Sequence, residues 1–320
     1  MSLALLFSPQ GSQAVGMGHA LVEASPSARE VFERADEALG WSVSRLAFQG
    51  PEERLNDTRY TQPALVTMAV AAAHALSEAL AAQGDDLAPA FVAGHSVGEY
   101  AALVMGDVLS LEDAVRLVAV RGELMAGESI DGGMSAVIGL DRAAVAAAIE
   151  PFAGEGSDLV IANDNAPGQV VISGLRDALA AAEEPLRAAG ARRVLPLKVS
   201  GPFHSPHMRA VGERLAHAFA GVTWRDARVP LISNVTADPV SDAAEIRGLL
   251  ARQVSAPVEW VASVERLAAE GVDTFVECGP GAALTGMVKR IVPGARLHNV
   301  GDPDGVEKAA AALRPAEASV

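Results

Sequence analysis

Short, nearly continuous apolar runs alternate along this chain with longer segments whose apolar residues recur at helical spacing. That is the pattern of strands buried on both faces and separated by helices. Leu3 to Phe7 is the first run; Phe91 to Ala93, Val229 to Ser233 and Thr274 to Glu277 are others. Helical patterns cover Ser27 to Leu39, an Ala-rich stretch from Ala64 to Ala82, Ala243 to Gln253, Glu259 to Glu270 and Leu284 to Ile291. Ser110-Leu111-Glu112-Asp113 reads as a capping box opening a further helix toward Glu128. Its apolar stripe is Ala114, Leu117, Val118, Leu124 and Met125. Arg121 falls on that stripe. A buried guanidinium is costly unless paired, so the pattern calls for an anion there, either a protein carboxylate such as Glu99 or one brought by a ligand.

Between Met134 and Leu197 the order changes. Met134 to Leu140 alternates as a strand, Arg142 to Phe152 is helical, and Leu159 to Ala162 is a strand. After the turn Ala166-Pro167-Gly168 come a strand from Gln169 to Ser173, a helix from Leu175 to Ala189 and a strand from Arg192 to Leu197. This β-α-β-β-α-β order is a split βαβ, ferredoxin-like unit. The expectation is an inserted subdomain over residues 131–197, carried by a larger α/β domain built from 1–130 and 198–320. Ligand sites favour such boundaries, so the insert should form one wall of a cleft.

Half of the 320 residues are hydrophobic and only 4% aromatic, which predicts an aliphatic, Ala-rich core. The balance of 25 Lys+Arg against 40 Asp+Glu gives −15, which argues against nucleic acid or an anionic membrane as a partner. Cys278 is the only cysteine, leaving no disulfide framework and no thiolate metal cluster, as expected of a protein of the reducing cytoplasm. Met1 to Phe7 lacks the basic start of a signal peptide, and no uninterrupted apolar run reaches membrane-spanning length.

The chemistry centres on Gly94-His95-Ser96-Val97-Gly98. A strand precedes it and a helix-forming segment follows, the context of a nucleophile elbow that lifts a serine above the strand ends. Downstream, Ser200-Gly201-Pro202-Phe203-His204-Ser205-Pro206-His207-Met208 carries two histidines. No acid or cysteine lies near enough to complete a metal site with them, so no metal is expected. A loop histidine after a strand suits a general base, and Ser96 before His204 follows the hydrolase chain order. An acid between them is not evident: Asp158 and Asp164 sit in the insert, and a backbone carbonyl or amide oxygen could orient the imidazole instead. Ser8-Pro9-Gln10-Gly11-Ser12-Gln13 reads first as a turn, alternatively as a strand-end loop offering N–H groups to a ligand. Gly279-Pro280-Gly281 is a tight turn rather than a dinucleotide loop, since Pro280 removes a donor and the third glycine is absent.

Taken together, Gln10-Gly11-Ser12-Gln13, Thr61-Gln62-Pro63-Ala64, Gly94-His95-Ser96-Val97-Gly98-Glu99, Arg121, Asn165 with its neighbours, Gly201-Pro202-Phe203-His204, Gln253 before Pro257-Val258, and Glu277-Cys278-Gly279-Pro280-Gly281 resemble the malonyl-CoA:acyl carrier protein transacylases, in order, from Leu3 to Val300. The resemblance implies an α/β-hydrolase-like domain with a ferredoxin-like insert. It implies ping-pong transfer of a malonyl group from malonyl-CoA to the phosphopantetheine thiol of holo acyl carrier protein, with Ser96 as nucleophile, His204 as base and the Gln253 carbonyl orienting the imidazole. The N–H groups of Gln10 and Val97 would form the oxyanion hole, and Arg121 would hold the malonyl carboxylate, with Gln62, Asn165, Phe203 and Met125 completing the acyl site. No cofactor is required beyond the phosphopantetheine that the partner carries, and a monomer is expected. Phe7-Ser8-Pro9-Gln10 departs from the family's Phe-Pro-Gly-Gln by displacing the proline. Phe203 and Val97 resemble malonyl-selective members, and Arg192, Arg193 and Lys198, with Lys289 and Arg290, are the basic clusters open to an acidic carrier. A trans-acting polyketide acyltransferase, an acyl-thioester serine hydrolase and a non-catalytic carrier-binding module remain the alternatives; fatty-acid synthesis is the leading setting.

Overall fold

The computed structural model describes residues 2–153 and 159–314; Asp158, raised above as an orienting acid, and residues 315–320 lie outside the described residues. The strands are β1 (Leu3–Phe7), β2 (Phe91–Gly94), β3 (Gly132–Ile138), β4 (Leu159–Ala166), β5 (Gln169–Leu175), β6 (Arg193–Pro196), β7 (Leu231–Ile232), β8 (Pro239–Val240), β9 (Thr274–Cys278) and β10 (Arg296–Val300). The larger sheet has the order β10-β9-β1-β2-β7-β8, parallel except for the short β7–β8 pair. β1 lies inside it and every residue of it is buried, which is why Leu3 to Phe7 shows no alternation. All the parallel strands deliver their C-terminal ends to one edge, where ligands bind in open α/β sheets.

Helix Thr58–Ala81 is the longest, and it begins six residues before the predicted start at Ala64. Asp57 caps it by accepting from the Arg59 N–H, and Pro63, which suggested a start, lies within it. The proline merely leaves the Arg59 carbonyl without its helical donor. Its length and mean hydropathy of 1.5 would suit a membrane span, but 72% of the window concerned is buried within the protein. Its alanines let helices Pro26–Leu39, Leu111–Gly127 and Pro303–Leu313 approach closely.

The smaller sheet is antiparallel throughout, in the order β4-β5-β3-β6. Its helices Arg142–Ile149, Arg176–Ala181 and Glu183–Ala188 enclose a separate core around Val137, Val145, Leu159, Ile172 and Leu186. The single helix expected from Leu175 to Ala189 is two, because Pro185 offers no N–H to the Ala181 carbonyl. β4 runs to Ala166, beyond the expected Ala162, and register shifts between Ile161 and Asn163 and between Asp164 and Ala166 bend it. It is held to the rest of the chain by Asp164 N–H to the Val258 carbonyl (3.1 Å) and Val258 N–H to the Ala162 carbonyl (2.8 Å). A two-pronged Arg142–Glu259 pair (2.6 and 2.9 Å) reinforces the joint. These contacts bring β4's asparagines to the edge where β1 and β2 end.

Candidate active site

β2 stops at Gly94 and helix Gly98–Met105 starts four residues later, so the intervening chain must reverse sharply. Ser96 sits at the apex with φ of 52°, the strained left-handed region. Only glycine fits on either side: a Cβ on Gly94 would stand 2.0 Å from the Gly98 carbonyl carbon, and one on Gly98 2.2 Å from the Phe7 oxygen. Asn234, which the sequence reading missed, locks the turn. Its Oδ1 accepts from the Ser96 N–H at 2.6 Å and its Nδ2 donates to the Gly94 carbonyl at 2.6 Å. Asn234→Ala leaves two buried backbone groups without partners, each worth about 1–3 kcal/mol. The expected outcome is a melting temperature several degrees lower and a fall in kcat with little change in KM, read by thermal denaturation and steady-state kinetics.

His204 lies after Pro202 and Phe203, with φ of 57°, and its N–H donates to the Val254 carbonyl at 3.0 Å. Its Nε2 is 2.7 Å from Ser96 Oγ, and its Nδ1 lies 2.9 Å from the Gln253 carbonyl and 3.1 Å from that of Ala256. Carbonyls only accept, so Nδ1 carries the proton and Nε2 presents a lone pair to the serine hydroxyl. Of the orienting groups left open by the sequence, backbone carbonyls occupy the place; Asp164 faces Arg142 instead, at 3.7 Å. Burial first, then the Arg121 charge, brings the His204 imidazole down to about 3. It is therefore neutral, as a base must be.

Arg121 is 1% exposed on helix Leu111–Gly127. Its Nη1 donates to Gln62 Oε1 at 2.7 Å, and its Nη2 to Ser96 Oγ and Gln253 Oε1, both at 3.1 Å. Nε has no partner among the described residues. No carboxylate among the described residues bonds it directly: amide oxygens accept from it, and Glu99 is reached through Gln253, whose Nε2 donates to it. Gln62 also donates to Met125 Sδ at 3.5 Å. Pro9, Gln10, Ser96, Arg121, Met125, Asn163, Phe203 and His204 surround a cavity of about 100 Å³.

Asn165 is not on this cavity. Its Oδ1 is 2.7 Å from Nε2 of His95, whose buried imidazole is lowered to about 4. Asn163, which the sequence reading did not single out, lines the cavity with a buried Nδ2 that has no partner among the described residues. The Ser8–Gln10 loop is pinned by Ser8 Oγ donating to the buried Glu277 (3.2 Å) and Gln10 Nε2 donating to Thr58 Oγ1 (3.1 Å). The Gln10 and Val97 amides have no backbone acceptor among the described residues. His207 joins no cluster of three metal-binding side chains among them.

Buried titrating groups set an acid limit on stability. His204 and His95 stay neutral down to about 3 and about 4 when folded, whereas both protonate near 6.5 in the unfolded chain. As pH falls below 6.5, the unfolded state binds their protons and stability drops by up to about 1.4 kcal/mol per unit for each. Glu99, raised by burial from 4.5 to about 7, works the other way, since the folded state keeps its proton over that interval. One histidine's worth remains. From these groups stability should fall by about 1.4 kcal/mol per unit between pH 6.5 and 4.5, measurable by urea unfolding at each pH.

Comparison with known proteins agrees across the chain. The family described as an acyl transferase domain matches residues 4–302. A malonyl CoA-acyl carrier protein transacylase of Bacillus subtilis is 41% identical over 315 residues, 98% of this chain and 97% of that protein. One of Escherichia coli is 43% identical over 308 residues, covering 96% and 98%. Among solved structures, an acyl carrier protein S-malonyltransferase of Vibrio cholerae superposes with a TM-score of 0.90 at 39% identity, covering 97% of this chain and all of that one. A malonyl-transacylase in complex with its type II polyketide acyl-carrier protein gives 0.91 at 38% identity, with 98% and 100% covered.

Proposed function

As this chain belongs to the malonyl CoA-acyl carrier protein transacylase family, we propose that Ser96 carries a malonyl group from malonyl-CoA to the phosphopantetheine thiol of an acyl carrier protein. Ser96 Oγ attacks the thioester carbonyl while His204 Nε2 takes its proton; the C–S bond breaks and the proton passes to the departing CoA sulfur. The carrier's thiol then attacks the malonyl ester with His204 again as base, and the proton returns to Ser96. The Gln253 and Ala256 carbonyls hold the imidazolium that forms in each half. The Gln10 and Val97 amides face the developing oxyanion, where one such donor contributes about 3 kcal/mol. No cofactor has a step in this sequence.

The observation that carries the reading is Arg121: a fully buried cation whose direct partners are Ser96 Oγ and neutral amides, so that a substrate carboxylate can be the first to bond it directly. An acyl group bearing a carboxylate beyond its thioester meets that demand; an acetyl group does not. Asn163, Phe203 and Met125 complete the wall, and Gln62 holds Arg121 Nη1. In this reading, residues 1–130 with 198–320 form the α/β-hydrolase-like catalytic domain, and 131–197 a ferredoxin-like insert, supported by its strand order. The enzyme acts as a cytoplasmic monomer supplying malonyl units to fatty-acid synthesis. Exposed Arg192 and Arg193 serve the acidic carrier better than Arg290, which is already bonded to Gln169 and the Pro167 carbonyl.

A hydrolase on the same frame is separated by following CoA release. With malonyl-CoA alone, release should stop after one equivalent per enzyme and resume when holo carrier protein is added. Continuous release without a carrier would mean that water takes the acyl group.

A further inference from the structure

Glu99 is 1% exposed in the first turn of helix Gly98–Met105, and acyl transfer as described gives it no task. One of its oxygens accepts from Gln253 Nε2, while Gln253 Oε1 accepts from Arg121 Nη2 at 3.1 Å. The amide has no freedom to turn over. Arg121 has only donors, and the Ser96 carbonyl, which Nε2 also reaches at 2.9 Å, only accepts. Glu99 is therefore joined to the substrate-facing cation through a single amide. Of the other titratable groups around this pair, Tyr100 is kept neutral by burial, as are His95 and His204, and Arg121 is the cation that acts on Glu99.

With Glu99 ionised, the site thus holds one positive and one negative charge. A malonyl carboxylate adds a second negative charge against the same guanidinium. Two carboxylates sharing one buried cation repel, and the one with the poorer hydration gains a proton. We propose that Glu99 is the resting counter-ion of Arg121 and takes up a proton from solvent when the malonyl carboxylate binds, coupling recognition of the charged acyl group to protonation. The inference rests on the acyl-transfer reading of Ser96 and Arg121. Burial, the dominant influence on Glu99, already holds its carboxyl at about 7, so the exchange falls where the enzyme can be assayed. Acetyl loading brings no carboxylate and leaves Glu99 as it was.

The test is the half-saturating thioester concentration for acylation of Ser96, measured from about pH 6.5 to 9 with malonyl-CoA and with acetyl-CoA. Both thioesters carry the same CoA phosphates, so their titration cancels in the comparison. Above pH 7 the malonyl-CoA value should climb by up to about tenfold per unit while the acetyl-CoA value does not, and Glu99→Gln should abolish the climb. Parallel profiles for the two thioesters in the unaltered protein would overturn the proposal, even if the variant fails to fold. So would a malonyl-specific climb that survives in Glu99→Gln. Failure of the acyl-transfer reading would appear separately, as no acylation of Ser96 by either thioester.

Discussion

Replacing Ser96 by alanine is expected to lower kcat for malonyl transfer by about 10⁴-fold or more, with the protein still folded. Losing a nucleophile removes the covalent path itself, and what remains is the binding and oxyanion contribution. Neither Cys278 nor His95 can stand in. Cys278 is fully buried at the end of β9, where burial raises its thiol, and His95 is held by Asn165. Among the described residues Ser96 Oγ bonds only to His204 and Arg121, so its loss leaves the Asn234 lock on the elbow intact. Steady-state transfer assays and a thermal melt check both halves of the expectation; undiminished transfer would return the chain to the carrier-binding module.

Arg121→Ala should cut kcat/KM for malonyl-CoA by several hundredfold while changing acetyl loading far less. Truncating one partner of a buried, hydrogen-bonded charge pair costs about 2–5 kcal/mol, or roughly thirtyfold to several thousandfold in rate. Acetyl lacks the carboxylate and loses only what Arg121 contributes through Ser96 Oγ. Lysine should not rescue, since Nη1 and Nη2 reach separate partners and an ammonium lacks that fork. Competition between the two thioesters for one enzyme sample reads the ratio directly, and equal losses would remove Arg121 from substrate recognition.

The most legible parts of the site were those governed by local rules. Gly94 and Gly98 announced the elbow because no side chain fits beside Ser96, and Arg121 stood out because a charge on an apolar stripe needs an explanation. His204 was readable as a loop base, but its orienting group was not: a main-chain carbonyl such as that of Gln253 has no residue signature, and only the family resemblance pointed to it. Asn234 has no local signature, because the elbow it locks lies 138 residues away and meets it only once the sheet forms. Asn163 and Asn165 are two apart on a strand, yet the register shifts of β4 give them different surroundings, which alternation does not foresee. Pro63 precedes the expected start at Ala64, yet lies within the helix, because burial of most of Thr58–Ala81 outweighs one missing hydrogen bond.

The most direct measurement is intact-protein mass spectrometry with peptide mapping after brief mixing with malonyl-CoA, followed by holo acyl carrier protein. The account predicts one malonyl adduct, confined to the peptide containing Ser96, that persists without carrier and moves to the carrier's phosphopantetheine when it is added. An adduct elsewhere, or one on Ser96 that the carrier never receives, would contradict it.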